Sequence, residues 1–225
     1  MISVIIPAYN EEKALPLTLL HLFRQAGNFE TIVVDGGSTD GTRKLAHADR
    51  RIQLLCAPKG RASQMNAGAR AAKGGWLLFL HADTLLPPDA LVKLHALETQ
   101  GRYLAGGFRH RFSGNDWRLR LISRLDNWRC RRTHIVYGDQ ALFVQRDLFE
   151  KLGGFPPVPM LEDVLFCERL VHETTPILLD TPVVTDARKF IKMGVWRSLA
   201  RVFLIILCFE LKLPIPARVF FSDVR

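Results

Sequence analysis

Short apolar runs rich in β-branched residues punctuate the first hundred positions: Val4 to Ile6, Thr31 to Val34, Ile52 to Leu55 and Trp76 to Leu80. Each is followed by a longer amphipathic stretch, a rhythm that predicts βαβ units and a parallel sheet. Polar or glycine-bearing residues stand just after the first, second and fourth runs, namely Asn10-Glu11-Glu12, Asp35-Gly36-Gly37-Ser38 and His81-Ala82-Asp83. They therefore fall at the carboxyl ends of strands, the edge of an open α/β sheet where ligands bind. After about residue 101 the rhythm turns mixed, with Gly106-Gly107, a strand-like Ala141 to Gln145, a Gly153-Gly154-Phe155-Pro156-Pro157 break and a helix from about Glu162 to His172.

The last helix is expected from about Gly194 to Leu213, closed by Pro214 and Pro216. Val202 to Phe209 are apolar in succession, hence apolar around the whole helix. Such a helix is ordinarily buried, under the rest of the chain or against a second copy. A membrane-surface helix is the alternative, because Arg188, Lys189, Lys192, Arg197 and Arg201 crowd its start and would meet anionic headgroups. Spanning a bilayer takes roughly 20 apolar residues, and Arg201, Glu210 and Lys212 bracket the run too closely.

Composition narrows the class. The chain has 225 residues, 48% hydrophobic and 24% charged, which fits one sizeable core with an appended element and excludes disorder. The net charge of +9 favours polyanionic partners such as nucleotides, phosphorylated substrates or an anionic bilayer. No nucleic-acid partner is expected, since the basic residues are spread out with no recognition module. Cys56, Cys130, Cys167 and Cys208 form neither a CxxC pair nor a zinc spacing, so they read as reduced, mostly buried thiols of a cytosolic protein. The opening Ile2 to Ile6 has no export-signal pattern. Neither GxGxxG nor GxxxxGK[ST] occurs, which removes dinucleotide dehydrogenases and P-loop kinases.

Several residue groups carry candidate chemistry. Asp35 offers a carboxylate able to accept from an imide N–H, with Gly36 and Gly37 letting the backbone come close to a base. Alternatively it opens a turn and caps the next helix, with Asp40 as the other cap. Lys59-Gly60-Arg61, with Gln64 and Asn66, makes a basic, amide-bearing helix start suited to diphosphate or ribose oxygens. Arg61 is the foremost of these, because a guanidinium pairs bidentately with phosphate; a solvated helix face has the same composition. Glu162 and Asp163 begin a helix about 100° apart, so only one can face a common site. Two acids also suit a helix N-terminus through its dipole alone.

Val4-Ile5-Ile6-Pro7-Ala8-Tyr9-Asn10-Glu11-Glu12 followed by Ile32 to Thr42 resembles the nucleotide-binding half of inverting family 2 glycosyltransferases with a GT-A fold. Gly68, the Phe79 to Thr84 segment, Gly153-Gly154-Phe155 and Glu162-Asp163 follow in that family's order, and the likeness ends before residue 190. The resemblance implies an α/β, Rossmann-like, mixed but mainly parallel sheet flanked by helices, with a C-terminal apolar helix. It implies a transferase domain over 1–190, the nucleotide-binding half being 1–100 and the acceptor half 101–190, and then a helix and tail over 191–225.

The same resemblance implies residue roles. Asp35 would meet uridine, while Pro7, Ala8 and Glu11 embrace base and ribose, though Asn10-Glu11 is also an ordinary helix start. Arg61, Asn66 and Ala82 join the nucleotide-binding set. His81-Ala82-Asp83 stands where the family has Asp-x-Asp, whose second carboxylate holds Mn²⁺ or Mg²⁺ between the phosphates. His81 replaces the first acid, leaving metal ligation, a ribose contact or a structural role open. Asp163 would be the base that takes the acceptor's proton, and Glu162 a helix cap or acceptor contact. Gly107, Tyr137, Asp139 and Gln140 fall where sugar or acceptor is held, although Asp139 and Gln140 equally suit a turn. Arg188-Lys189 after Asp186 resembles a basic loop over the diphosphate, and the processive Gln-x-x-Arg-Trp motif is missing.

The implied activity is metal-dependent, inverting and non-processive transfer of a sugar from a nucleotide-diphosphate donor, a UDP-sugar foremost, to a hydroxyl of a small or lipid-linked acceptor. It would take place in the cytoplasm, at the inner face of the membrane if the 195–213 helix lies there. Two other readings remain. A sugar-phosphate nucleotidyltransferase would need a basic Gly-rich loop where Pro7-Ala8-Tyr9-Asn10 stands. A degenerate transferase would bind nucleotide or a partner without catalysis, as His81 in place of an acid hints.

Overall fold

Ile2–Ala8 (β1) is buried at every position, as a strand covered on both faces must be. It lies between two parallel neighbours, Phe29–Asp35 (β2) and Trp76–Phe79 (β4), with Ile52–Cys56 (β3) parallel beyond β2. These positions come from a computed structural model that describes residues 1–210. Leu15–Leu22 (α1), Thr42–Ala48 (α2) and Arg61–Ala71 (α3) connect the four strands.

The remaining strands join the same sheet. Thr84–Leu85 (β5), Ala105–Phe112 (β6), Phe143–Gln145 (β7) and Ile177–Thr185 (β8) complete the order β3-β2-β1-β4-β7-β6-β8-β5. The β4–β7, β6–β7 and β5–β8 pairs are antiparallel, whereas β6–β8 is parallel. The expected mixed, mainly parallel sheet is therefore present. A flat sheet would set β4 and β5 four spacings apart, about 19 Å. Five residues reach at most about 18 Å, and here they are not extended, since the Thr84 N–H donates to the His81 carbonyl at 3.1 Å. The sheet curls, drawing its far edge back over the strand exits.

Alternation along the strands divides the core. Ile2, Val4, Ile6 and Ala8 face one layer with Trp76, Leu78, Phe108 and Phe143, covered by α1 and Ala90–Gln100 (α4). Ile5, Leu77 and Phe79 face the other, under α3, Arg146–Lys151 (α6) and Glu162–Glu173 (α7). A Cβ on Gly68 would meet Ile5 Cγ2 at 2.4 Å, so glycine lets α3 lie directly on β1.

Several expectations change. Trp117–Thr133 (α5) and β8 were not legible as an amphipathic helix and an alternating strand. The boundary expected at 190 falls inside Arg188–Met193 (α8). Among the described side chains of the last helix, Val195–Glu210 (α9), Val195, Ser198 and Ile205 are buried while Trp196 and Phe203 are exposed. Leu213, the helix's expected end, and Pro214 and Pro216, expected to close it, lie outside the described residues, as does Lys212. Cys130 and Cys167 are buried, but Cys56 is exposed and Cys208 half-buried, so the thiols are not mostly buried. Among the described residues no helix is long and apolar enough to cross a membrane.

Candidate active site

The curl closes a cleft of about 380 Å³ over the exits of β1 and β4. Pro7, Ala8, Tyr9 and Glu11 line one end, beside Lys59, Gly60 and Arg61 at the start of α3. His81, Ala82 and Asp83 leave β4 into its floor, and Tyr137, Gly138, Asp139 and Asp163 face them. Asp186 from the end of β8, with Phe190, Met193, Arg201 and Val202 of α8 and α9, forms the last wall.

Not every residue expected here reaches the cleft. Asp35 ends β2 in register with Ala8 but is buried outside the lining. Its carboxylate accepts the N–H groups of Gly37 (3.1 Å) and Ser38 (3.2 Å), the turn-forming alternative. Asp40 shapes the same loop by accepting from the Thr42 N–H at 3.0 Å. Asn66 is drawn away to the Phe155 backbone, donating to its carbonyl at 2.8 Å and accepting its N–H at 3.0 Å. Gln64 lines the cleft, yet its amide donates to the Ala8 and Val34 carbonyls, both at 2.8 Å, pinning α3 to the strand exits. Gly107 is buried against Val136. Gln140 is buried too, its Oε1 accepting the Tyr137 N–H at 3.0 Å, a turn contact.

The helix-start pair separates as its geometry requires. Asp163 faces the cleft, where its Oδ2 accepts the Gly138 N–H at 2.6 Å and its Oδ1 the Val164 N–H at 2.9 Å. Glu162 is 1% exposed and sits 2.8 Å from Arg61 Nε, which makes it a counter-ion of the arginine. Burial alone would lower the Arg61 pKa, but the Glu162, Asp163, Asp139 and Asp83 carboxylates together raise it. The guanidinium thus stays charged within the field of all four acids.

A Cβ on Gly138 would lie 2.8 Å from His81 Nε2 and 3.1 Å from Asp163 Oδ2, so glycine is what lets these groups approach. Two non-glycine residues with left-handed backbone flank this contact, Ala141 (φ 48) and Leu161 (φ 60). Such strain collects at functional sites. Tyr137 is held by the Arg129 guanidinium, 3.4 Å from its ring centroid, which itself pairs with Asp126 at 2.8 Å.

Burial pushes the Asp139 carboxyl up, to about 6. Asp126 of α5 and Asp163 of α7 push the same way, while His110 of β6, 3.7 Å distant, and Arg129 oppose them. The folded state therefore holds this proton more tightly than the unfolded chain does, and stability falls as pH rises from about 4 to about 6. Urea unfolding across that range should show the decline in the wild type and a shallower one in Asp139→Asn. Parallel pH profiles would contradict it.

Asp83 and His81 are the candidate metal donors. Among the described residues no three His, Cys, Asp or Glu side chains gather as a metal cage. The pair still fits a cation bound by one or two protein donors, with phosphate and water oxygens completing the shell, as Mg²⁺ prefers. An imidazole donor suits Mn²⁺ better. Sequence reasoning missed the wall made by Thr185, Asp186, Phe190 and α9, which reaches the cleft only through the curl of the sheet. Arg188 pairs with Asp186 at 2.5 Å, which engages the basic loop with its own chain.

A curled, mainly parallel sheet with its cleft at the strand exits is the architecture of GT-A glycosyltransferases. The chain belongs to the family described as Glycosyl transferase family 2, whose family model matches residues 3–153. A Haemophilus influenzae protein described as an uncharacterized glycosyltransferase is 32% identical over 208 residues, 86% of this chain and 80% of that one. The undecaprenyl-phosphate 4-deoxy-4-formamido-L-arabinose transferase of Aeromonas hydrophila is 31% identical over 138 residues, 56% of this chain and 42% of its own. A PGL/p-HBAD biosynthesis glycosyltransferase of Mycobacterium bovis is 40% identical over 104 residues, 43% of this chain and 41% of its own. The matches to the latter two cover about two-fifths of their lengths. Among solved structures, the mannosyltransferase PcManGT of Pyrobaculum calidifontis, in complex with GDP-Man and Mn²⁺, matches with a TM-score of 0.68 at 22% identity, over 91% of this chain and 61% of that one. S. aureus TarS 1-349 in complex with UDP-GlcNAc matches with a TM-score of 0.67 at 20% identity, over 83% and 58%.

Proposed function

We propose that the chain transfers a sugar, with inversion and with the aid of a divalent cation, from a nucleotide-diphosphate donor to an acceptor hydroxyl. The observation that carries this reading is one cleft presenting Arg61, Asp83 and Asp163 together. Pro7, Ala8, Tyr9 and Glu11 receive the nucleoside, and Arg61 meets the diphosphate. Asp83, with His81, would hold the cation, which would supply positive charge to the departing diphosphate. Tyr137 and Asp139 border the sugar and the acceptor. Asp163 takes the hydroxyl proton as that oxygen bonds to the anomeric carbon and the carbon–oxygen bond to the diphosphate breaks, a single displacement that inverts the centre.

The nucleotide complexes of the two structural neighbours support a nucleotide-sugar donor, and a UDP-sugar is the first donor to try. The Aeromonas relative's name and the apolar wall of Phe190, Met193 and Val202 support a lipid-linked acceptor. A panel of nucleotide sugars assayed for transfer tests the reading, and absence of any nucleotide binding with Mn²⁺ present would end it. In titration calorimetry, Asp83→Ala should lose the Mn²⁺-stimulated component of UDP binding while keeping the metal-independent part. Equal stimulation in both proteins would remove Asp83 from that role.

One observation favours a degenerate transferase: both Asp163 oxygens already accept backbone N–H groups, so the carboxylate is engaged by its own fold. Each carboxylate oxygen has a second lone pair, so a hydroxyl can still approach. Turnover in the presence of bound nucleotide separates the two readings.

A further inference from the structure

Helix α5 presents an unusual pair of faces. Its inward residues include Ser123 and Asn127, while Trp117, Leu121, Leu125 and Trp128 point out, exposed by 59%, 41%, 54% and 60%. The inward polarity has a local cause. Strand β7 pairs with β6 only at Ala105 and Gly106, and α5 covers the edge that continues beyond. Asn127 accepts the His110 N–H at 2.8 Å and donates to the His110 carbonyl at 2.9 Å, and the Phe112 N–H donates to Ser123 Oγ at 3.3 Å. These bonds fix the helix's rotation, so nothing in the fold requires the outward stripe to be apolar.

Arg120 and Arg124 are interleaved with that stripe, and Arg132 follows at its end, all exposed. The helix's own acid, Asp126, is turned aside to Arg129, and Asp116 at its cap pairs with Arg118. The surface continues onto α9, where Trp196 meets Trp117 with ring centroids 6.4 Å apart and Phe203 is 67% exposed.

We propose that this face of α5 docks the protein on an anionic lipid bilayer, the tryptophans and leucines entering the headgroup boundary and the arginines meeting lipid phosphates. Indole rings favour that boundary, and a basic amphipathic helix binds in its plane. Charge selects this occupant over a second copy, because a two-fold contact would set the arginines of one stripe against those of the other. The docking stands apart from the transfer reading. With that reading it gains a consequence, since Val202 of α9 both lines the cleft and is exposed beside Phe203, bringing the cleft mouth to the lipid surface.

The test uses the full chain, sedimented with vesicles of phosphatidylcholine alone or mixed in equal parts with phosphatidylglycerol. Binding to the anionic vesicles alone, weakened by salt and accompanied by a blue shift of tryptophan emission, is the expected result. Trp117→Ser with Trp128→Ser, and separately Arg120→Glu with Arg124→Glu, should each lower the partition by about tenfold or more, the arginine variant with an unchanged thermal midpoint. The arginine variant leaves the Trp117–Trp196 contact in place. The proposal is overturned if the wild type stays in the supernatant with both vesicles, or if either folded variant pellets like the wild type. A wild-type dimer that the same substitutions dissociate would assign the face to a second copy instead.

Discussion

Asp163→Asn is expected to slow sugar transfer by about 10²–10⁴-fold, the range a positioned general base supplies, while nucleotide affinity is retained. The asparagine keeps the shape but cannot take the acceptor's proton. It also introduces a conflict, because both carboxylate oxygens accept backbone N–H groups, from Gly138 and Val164. An amide can turn its oxygen to only one of them, leaving the other N–H facing an NH₂, at a cost of about 1–3 kcal/mol. Thermal unfolding should therefore register a modest loss beside the kinetic one. Single-turnover kinetics with donor bound separate the two, since a purely structural role would lower nucleotide affinity as well. Transfer at the wild-type rate would remove Asp163 from the chemistry.

Arg61→Met should be the most damaging single change to both stability and donor binding. Glu162 is buried 2.8 Å from the guanidinium of the partly exposed Arg61, so removing the arginine strands a buried carboxylate beside an open cleft, at a cost of about 1–3 kcal/mol, below that of breaking a fully buried pair. Pairing the change with Glu162→Leu should restore most of the stability, as replacing a buried ion pair by apolar residues often does. Affinity for a nucleoside diphosphate should stay low in the double variant. Urea denaturation and calorimetry with UDP check the two halves independently, and recovery of both in the double variant would show that Arg61 has no part in phosphate binding.

The strands were legible wherever burial on both faces leaves an unbroken apolar run, as in β1, β2 and β4. The residues after them fell at the strand exits, and Asp83, Arg61 and Asp163 converge on one cleft. What escaped was orientation. Asp35, Gln64 and Asn66 are the residue types that bind nucleotides, and equally the types that satisfy a turn or a neighbouring carbonyl. Only the direction of the side chain separates these roles, and their own loops and helices set it. Helix α5 escaped because its inward positions answer to hydrogen bonds along a strand edge, which breaks the usual periodicity. The two-residue β5 pairs with a strand a hundred residues on, and α8 and α9 pack on Phe112 and Trp117, more than seventy residues earlier, beyond any local pattern.

The curl of the sheet also fixes where movement can start. The Asp83 carbonyl accepts the Asp186 N–H at 3.0 Å, and the hydroxyls of Thr84 and Thr185 meet at 3.1 Å, so the loop carrying Asp83 is stitched to the end of β8. A wall swinging outward to admit a ligand must pivot downstream of that seam. Gly194, at φ 84 between α8 and α9, is the first glycine joint there, so the nearest left-handed joint of this wall lies beyond the carboxylate that would grip the cation.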